Sequence, residues 1–227
     1  MRVVGVDASK RDWVGVVLAD GCFDTAVLSP TLAALLDATS EVQTVGIDIP
    51  LGSVAAAVRG CDTAARRFVA PFGSSVFAAP PRGALACETY ADANQWCRDR
   101  WGRGMSAQSW ALRAKVADAE AHWIERPDLV FEVHPEVSFR AMAHDHRPLT
   151  ARKRSWTGHQ QRLALLAAAG VVVPTDLGDA GRSGADDVLD AAAAAWSAHR
   201  IATGVATSIL DPPERDEQHA HPVAIWY

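Results

Sequence analysis

Three apolar stretches of the chain each run straight into a carboxylate. Val3-Val4-Gly5-Val6 ends on Asp7, Val45-Gly46-Ile47 on Asp48, and Leu129-Val130-Phe131 on Glu132. A fourth stretch, Asp187-Val188-Leu189-Asp190, carries two acids three apart, the spacing that shares one helix face. Short valine-rich runs read as buried strands. A carboxylate in such a strand is costly unless it is paired or metal-bound. Ligands of open α/β sheets bind at the carboxyl ends of the strands. We therefore expect Asp7, Asp48, Glu132, Asp187 and Asp190 to converge as catalytic acids. Asp7, Asp48, Asp187 and Asp190 are the expected ligands of Mg²⁺ or Mn²⁺, hard cations that take oxygen donors. Two such ions about 4 Å apart support phosphodiester cleavage: one activates water and the other stabilises the leaving oxygen.

Each acid also has a plainer reading when taken singly. Asp7 reads as a turn or capping aspartate. Asp48 reads as an acid satisfied by backbone amides before Pro50, and Glu132 as an arginine-paired core carboxylate. The helix acids read as partners of the helix dipole. Asp186, four residues before Asp190, competes with Asp187 for the ligand role. His134 follows Glu132 on the same side of an extended chain. It reads as a metal ligand, a proton shuttle, a phosphate contact or a hydrogen-bonded structural histidine.

The elements that must hold these groups can be read in order. Val3–Val6, Asp12–Leu18 and Cys22–Val27 form strands, with Ala19-Asp20-Gly21 turning the second into the third. Ser29 is the expected N-cap of a helix over Pro30–Ala38. Thr44–Ile49 is a fourth strand, ended by Pro50 and Gly52, and Leu129–His134 is a fifth, ended by Pro135. Residues 53–126 read as an inserted segment: a loop with Pro71, Gly73, Pro80, Pro81 and Gly83, then helices over Cys87–Trp101 and Ser106–Glu125. Helices follow over Glu136–Ala143 and Gly158–Ala169, with Arg152-Lys153-Arg154 between them. The alanine-rich stretch Ala185–Thr203 is a long helix that Gly204 caps. Val223–Tyr227 adds a last strand or packs as a tail.

Charge divides the chain. Between Leu51 and Lys115 nine lysines and arginines face four acids, in a chain of 227 residues with net charge −5. A basic segment beside an acidic core is a pattern for holding a phosphate near metal ions. Arg59, Arg66 and Arg82, with Arg67, are the expected phosphate-binding wall, and Lys153, with Arg152 and Arg154, the opposite one. His134 completes the expected substrate-binding set. The plainer reading is pairing with Asp62 and other acids of the chain. Trp96, Trp101 and Trp123 read as packing residues. The four cysteines show no metal-ligand spacing and read as reduced thiols. No signal-like n-region and no long apolar run is present, so we expect a soluble, cytoplasmic protein without membrane partners. The oligomeric state is left open.

Taken together, the chain resembles the ribonuclease H-like superfamily: a three-strand meander, a helix, a fourth strand with an acid, a fifth strand and a late helix with acids. Asp187-x-x-Asp190 looks like the acidic helix motif of Holliday-junction resolvases in that superfamily. The whole chain resembles more closely the domain of unknown function 429 family, predicted ribonuclease H-like nucleases. Gly5-Val6-Asp7-Ala8-Ser9-Lys10 with Trp13, and Gly46-Ile47-Asp48-Ile49-Pro50-Leu51-Gly52, carry the resemblance at the start. Arg59-Gly60-Cys61-Asp62, Phe131-Glu132-Val133-His134-Pro135-Glu136, Gly158 with Arg162, Asp186 to Ala191 and the closing Ile225-Trp226-Tyr227 carry it onward. The resemblance implies a single α/β domain over residues 1–227. Its core is a mixed five-stranded ribonuclease H-like sheet flanked by helices, with the largely helical basic insertion after the fourth strand. It also implies a metal-dependent nuclease acting on nucleic acid or another phosphoester. Ribonucleases H carry a glutamate on the first helix, where this chain has only Asp37. That departure favours the resolvase-type arrangement, with Asp48 supplying the second acid. Two other readings remain: a non-catalytic nucleic-acid or protein-binding module on the same fold, and an actin-like ATPase or phosphotransferase. The second usually needs two copies of the fold and glycine-rich phosphate loops, and this chain has one copy, with Ala8-Ser9-Lys10 after the aspartate.

Overall fold

Valine dominates the first strands, and β-branched residues suit a pleated surface packed on both faces. In the computed structural model, which describes residues 1–9 and 11–227, β1 (Arg2–Ala8) lies at the centre of a five-stranded mixed sheet. Lys10 of the opening motif lies outside the described residues. β2 (Trp13–Ala19) and β3 (Cys22–Ser29) complete an antiparallel meander with β1. Asp20 and Gly21 turn it with φ of 49° and 81°, the left-handed pair that tight hairpins require. The first helix starts later than expected. Ser29 stays in the ladder opposite Trp13, and Thr31 caps α1 (Leu32–Ala38) by accepting from the Ala34 amide at 3.2 Å.

β4 (Val45–Ile47) pairs parallel with β1, and β5 (Val130–Glu132) parallel with β4, giving the order β3-β2-β1-β4-β5. Between β4 and β5 run α2 (Gly60–Phe68), α3 (Arg82–Leu85), α4 (Tyr90–Trp101), α5 (Ala107–Ala111) and α6 (Arg113–Glu125). α2 lies where only a loop was expected. The single helix expected over Ser106–Glu125 is two, divided at Leu112. α7 (Pro135–Met142), α8 (Trp156–Ala168) and α9 (Ala185–Ala202) complete nine α-helices among the described residues. The C-terminal segment makes isolated bridges rather than a strand, Trp226 meeting both Val133 and Ser208. No helix among the described residues is long and apolar enough to cross a membrane.

Strand alternation sends two sets of side chains to two cores. Val4, Val6, Val45, Ile47 and Val130 face one side, where Leu32 and Leu35 of α1 and Val116, Ala119 and Trp123 of α6 cover them. The segment between β4 and β5 therefore supplies cover for the central sheet. Only Ala84, Ala93, Cys97 and Trp110, from α3 to α5, form a small core of their own. Val3, Val14, Val16 and Leu18 face the other side, against α9. There the backbones nearly touch. A Cβ on Gly5 would meet the Ala195 nitrogen at 1.9 Å and the Ala191 oxygen at 2.1 Å; one on Gly46 would meet the Ala194 oxygen at 2.7 Å. Glycines below and fully buried alanines (Ala191 to Ala195) above permit this approach. It fixes the height of α9 over the sheet and so places the acids of its first turns.

Candidate functional site

The register decides which acids meet. Val6 pairs with Ile47, and Ile47 with Glu132. One residue further along, Asp7 stands beside Asp48, and Asp48 beside Val133. Neighbours in register point to the same face, and successive residues to opposite faces. Asp7 and Asp48 therefore project toward α9. Glu132 shares the face of Val6 and Ile47 and projects away from them. Glu132 is one residue out of phase with Asp7 and Asp48; it lines the same cleft, but its oxygens are taken by Arg59 and the Leu51 amide.

On the α9 face, Asp7, Asp48 and Asp190 crowd together with Asp187 nearby. Asp7 is 7% exposed and Asp190 2%. Burial first, then the charges of Asp48 and Asp190, hold the Asp7 carboxyl well above the ordinary range. Burial and Asp190 push Asp48 up to about 8. Burial pushes Asp190 up to about 6, with Lys153 pulling the other way. Asp187 is raised by burial and by its neighbour Asp186, and it accepts from the Ser183 hydroxyl at 3.4 Å. Asp186 itself meets Arg154, Nε to Oδ2 at 3.5 Å. These groups line a cleft of about 450 Å³.

Lys153 supplies the positive charge in this cleft. Its Nζ donates to Asp190 Oδ2, and the acids raise its own pKa above the ordinary lysine value against the opposing effect of burial. Asp190 Oδ1 is buried with no hydrogen-bond partner. The loop carrying Lys153 is held from below. Arg162 donates to the carbonyls of Ala151 and Gly158 at 3.2 and 2.9 Å, and the same guanidinium grips Glu136 at 2.6 and 2.7 Å. Gly158 lies so close to that loop that a Cβ would stand 2.0 Å from the Arg152 oxygen. Arg162 and Glu136 are thus the supports of the Lys153 loop. Their pairing spans 26 residues, which no local pattern announces.

The other predicted residues separate. Arg59 was expected to bind phosphate, but all five of its guanidinium hydrogens have protein acceptors. It holds Glu132 through Nη1 and Nη2 at 2.6 and 2.7 Å, Asp62 at 2.5 and 3.2 Å, and the Leu51 carbonyl at 2.6 Å. Glu132 also accepts from the Leu51 amide at 2.7 Å, and Asp62 from the Ala79 amide at 3.0 Å. This network is buried and complete, so Arg59 has no donor left for a phosphate and Glu132 belongs to the pair. Arg82 is bound to the Ser53 carbonyl and to Asp216 at 2.7 and 2.6 Å. Arg66 donates to the Val76 carbonyl at 3.0 Å and lines a different, smaller hollow. The arginine wall expected after β4 is therefore not part of the cleft. Arg152, Lys153, Arg154 and His134 do line it. His134 is half-buried, with Nδ1 itself buried and lacking a partner; burial and the Lys153 charge push its pKa down to about 4, so the ring is neutral.

A divalent cation suits the donors on the α9 face: several oxygen ligands, mutual repulsion, and one orphaned carboxylate oxygen. As the side chains stand, no three His, Cys, Asp or Glu residues among those described are grouped tightly enough to enclose an ion. Lys153 offsets part of the cluster's charge in that arrangement, through Asp190. The acids fit such an ion in donor type and charge, and Asp7, Asp48, Asp187 and Asp190 are the residues that would hold it.

The fold and site define an α/β protein with an acidic cleft at the carboxyl ends of adjacent parallel strands. The chain belongs to the family described as protein of unknown function (DUF429), whose family model matches residues 5–215. No curated protein and no solved structure gives a significant match.

Proposed function

We propose that this protein is a metal-dependent nuclease of the ribonuclease H-like type. The observation that carries the reading is the juxtaposition of Asp7, Asp48 and Asp190. Burial raises the pKa of all three carboxylates, and Asp190 raises those of Asp7 and Asp48 further, at the ends of two parallel strands and one helix with a single lysine between them. The acids Asp62, Glu132 and Glu136 are arranged differently, the first two sharing Arg59 and the third held by Arg162. The meander followed by two parallel strands, and the helix bearing the last acids, also suit this type.

Bound Mg²⁺ or Mn²⁺ would supply an activated water at neutral pH and charge stabilisation at the leaving oxygen of a phosphodiester. Asp7, Asp48 and Asp190 would hold the cations, with Asp187 at the edge. With a cation on Asp190, Lys153 would be free to direct its ammonium at a phosphate oxygen. Arg152 and Arg154 neutralise the flanking phosphates. His134, neutral, offers a ring nitrogen that hydrogen-bonds substrate without adding charge. The test is Mn²⁺-dependent cleavage of labelled single-stranded, hybrid and branched substrates by wild type and Asp190→Asn. Cleavage lost in the variant and in chelator is the expected result. Equal cleavage by both proteins would sink the reading.

One observation favours a second reading. Lys153 already neutralises Asp190, as a permanent structural cation would. On that reading the protein is a non-catalytic binding module, and its ligand affinity is indifferent to divalent cations.

A further inference from the structure

A second hollow, of about 2010 Å³, opens beside the acidic cleft. Ala8, Phe77, Gln108, Lys153 and Arg154 line both, so the two are continuous. Its walls combine two features. The first is an excess of cations: Arg11, Lys115, Lys153, Arg154 and Arg182 lie along it against Asp12, Asp186 and Asp187, with Arg182 meeting Asp179 at 3.3 Å on an exposed surface. Arg154 touches Asp186 only through Nε, and its side chain is 86% exposed. The second is aromatic. Trp156, in the first turn of α8, is 78% exposed, and Phe77 is 38% exposed. A bare indole forgoes the stabilisation that burial would give so large an apolar surface. Every other tryptophan of the chain is better covered: Trp13, Trp110 and Trp123 are buried, and Trp96 and Trp101 pack edge to face at 5.1 Å.

Cations that follow a backbone, together with aromatic faces open to stacking, are what a single-stranded nucleic acid requires. A duplex keeps its bases stacked inside and offers an indole nothing to stack on. We infer that this groove binds single-stranded nucleic acid. Bases stack on Trp156 and Phe77, and phosphates run past Arg154 and Arg182 into the acidic cleft. The inference names the substrate class of the proposed nuclease and rests on that reading for the direction of the strand into the cleft, but binding itself needs no metal.

The test is fluorescence anisotropy of a labelled strand of about 12 nucleotides, a length within the usual site sizes. It is run in chelator on the full chain, with a blunt duplex of the same sequence for comparison. Trp156→Ala should weaken single-strand binding about tenfold, and Trp156→Phe should restore most of it. Arg154→Ala should weaken binding several-fold and flatten its salt dependence. The duplex should bind at least tenfold more weakly than the single strand. Unchanged binding by Trp156→Ala, or equal affinity for duplex and single strand, overturns the inference. Metal binding measured on the same preparations keeps the two ideas apart. A protein that binds Mn²⁺ but no single strand loses the groove and keeps the acidic cleft. One that binds the strand but no Mn²⁺ keeps the groove and loses the nuclease reading.

Discussion

Two sets of carboxylates stand around the same strand ends, and they are solvated by the protein in opposite ways. Glu132 and Asp62 share Arg59, and across the cleft Glu136 has Arg162 to itself. Every one of these pairs is held by at least two hydrogen bonds. Asp7, Asp48 and Asp190 have one lysine among them, and one of their oxygens has no partner at all. The difference teaches how to tell a carboxylate that holds the fold from one that is kept ready for something else. The first is neutralised by planar, bidentate arginine. The second is left in deficit; burial lifts the pKa in both sets, Glu132 to about 7 as well as Asp48 to about 8, so the missing partners rather than the pKa mark it.

The largest expected effect breaks the complete side of the comparison. Arg59→Ala leaves two buried carboxylates unpaired and should cost about 3–5 kcal/mol. Thermal unfolding should then fall by roughly 6–20 °C, at about 2–4 °C per kcal/mol for a chain of this size. Arg162→Ala should cost nearly as much and should also loosen the Lys153 loop, seen as faster proteolysis between Leu149 and Gly158.

The deficient side should respond in the other direction. Asp48→Asn should stabilise the metal-free protein at pH 8 by about 1–2 kcal/mol, because it removes a charge that its neighbours oppose. At about 1.4 kcal/mol per unit, the shift from 3.8 to about 8 sets a ceiling near 6 kcal/mol. Lys153 already offsets part of that. The gain should fade toward pH 4 and vanish below about pH 3, where the carboxyl is protonated in folded and unfolded chains alike. A loss of stability in Asp48→Asn at pH 8 would erase the distinction between the two sets.

Wild type in chelator should carry the same signature. An acid with a raised pKa keeps its proton in the folded chain after the unfolded chain has released it. The folded state therefore binds more protons, and this contribution to stability falls as pH rises from about 4 to about 8. His134 acts oppositely over a different window. Its pKa is depressed to about 4, so its contribution is present above about 6.5 and is lost as pH falls toward 4. Urea unfolding at intervals of one pH unit, with and without His134→Gln, separates the two. The smallest effect belongs to the groove: Trp156→Ala should change stability by less than about 0.5 kcal/mol, since the side chain is already in solvent.

Much of this was readable in the residues. The meander, the acids at the ends of β1 and β4, and the length of α9 follow from apolar runs, a turn dipeptide and an alanine-rich stretch. Each of those signals is local. What was not readable depends on pairing across distance. Glu132 ends an apolar run just as Asp7 and Asp48 do, and only the ladder shows it one residue out of phase. Arg59 looked like one more cation in a basic segment. Its role depends on Glu132, 73 residues away. α2 was missed because Gly60 opens it and Pro71 soon follows it, which reads as a loop. Ser29 looked like the helix cap because it precedes Pro30, but the ladder with β2 claims it and leaves the cap to Thr31. The exposed Trp156 carries no local mark either. Exposure is a property of packing, and packing is a property of the whole chain.

The measurement that tests the central claim most directly is Mn²⁺ binding by isothermal titration calorimetry, on wild type, Asp7→Asn, Asp190→Asn and Glu132→Gln. Wild type should bind one or two ions. Binding should be abolished in the two aspartate variants. Glu132→Gln, wherever it folds, keeps the ion, because its carboxylate serves Arg59. Wild type that takes up no Mn²⁺, even with oligonucleotide present, or a Glu132→Gln protein that folds and loses the ion along with the aspartate variants, would contradict this.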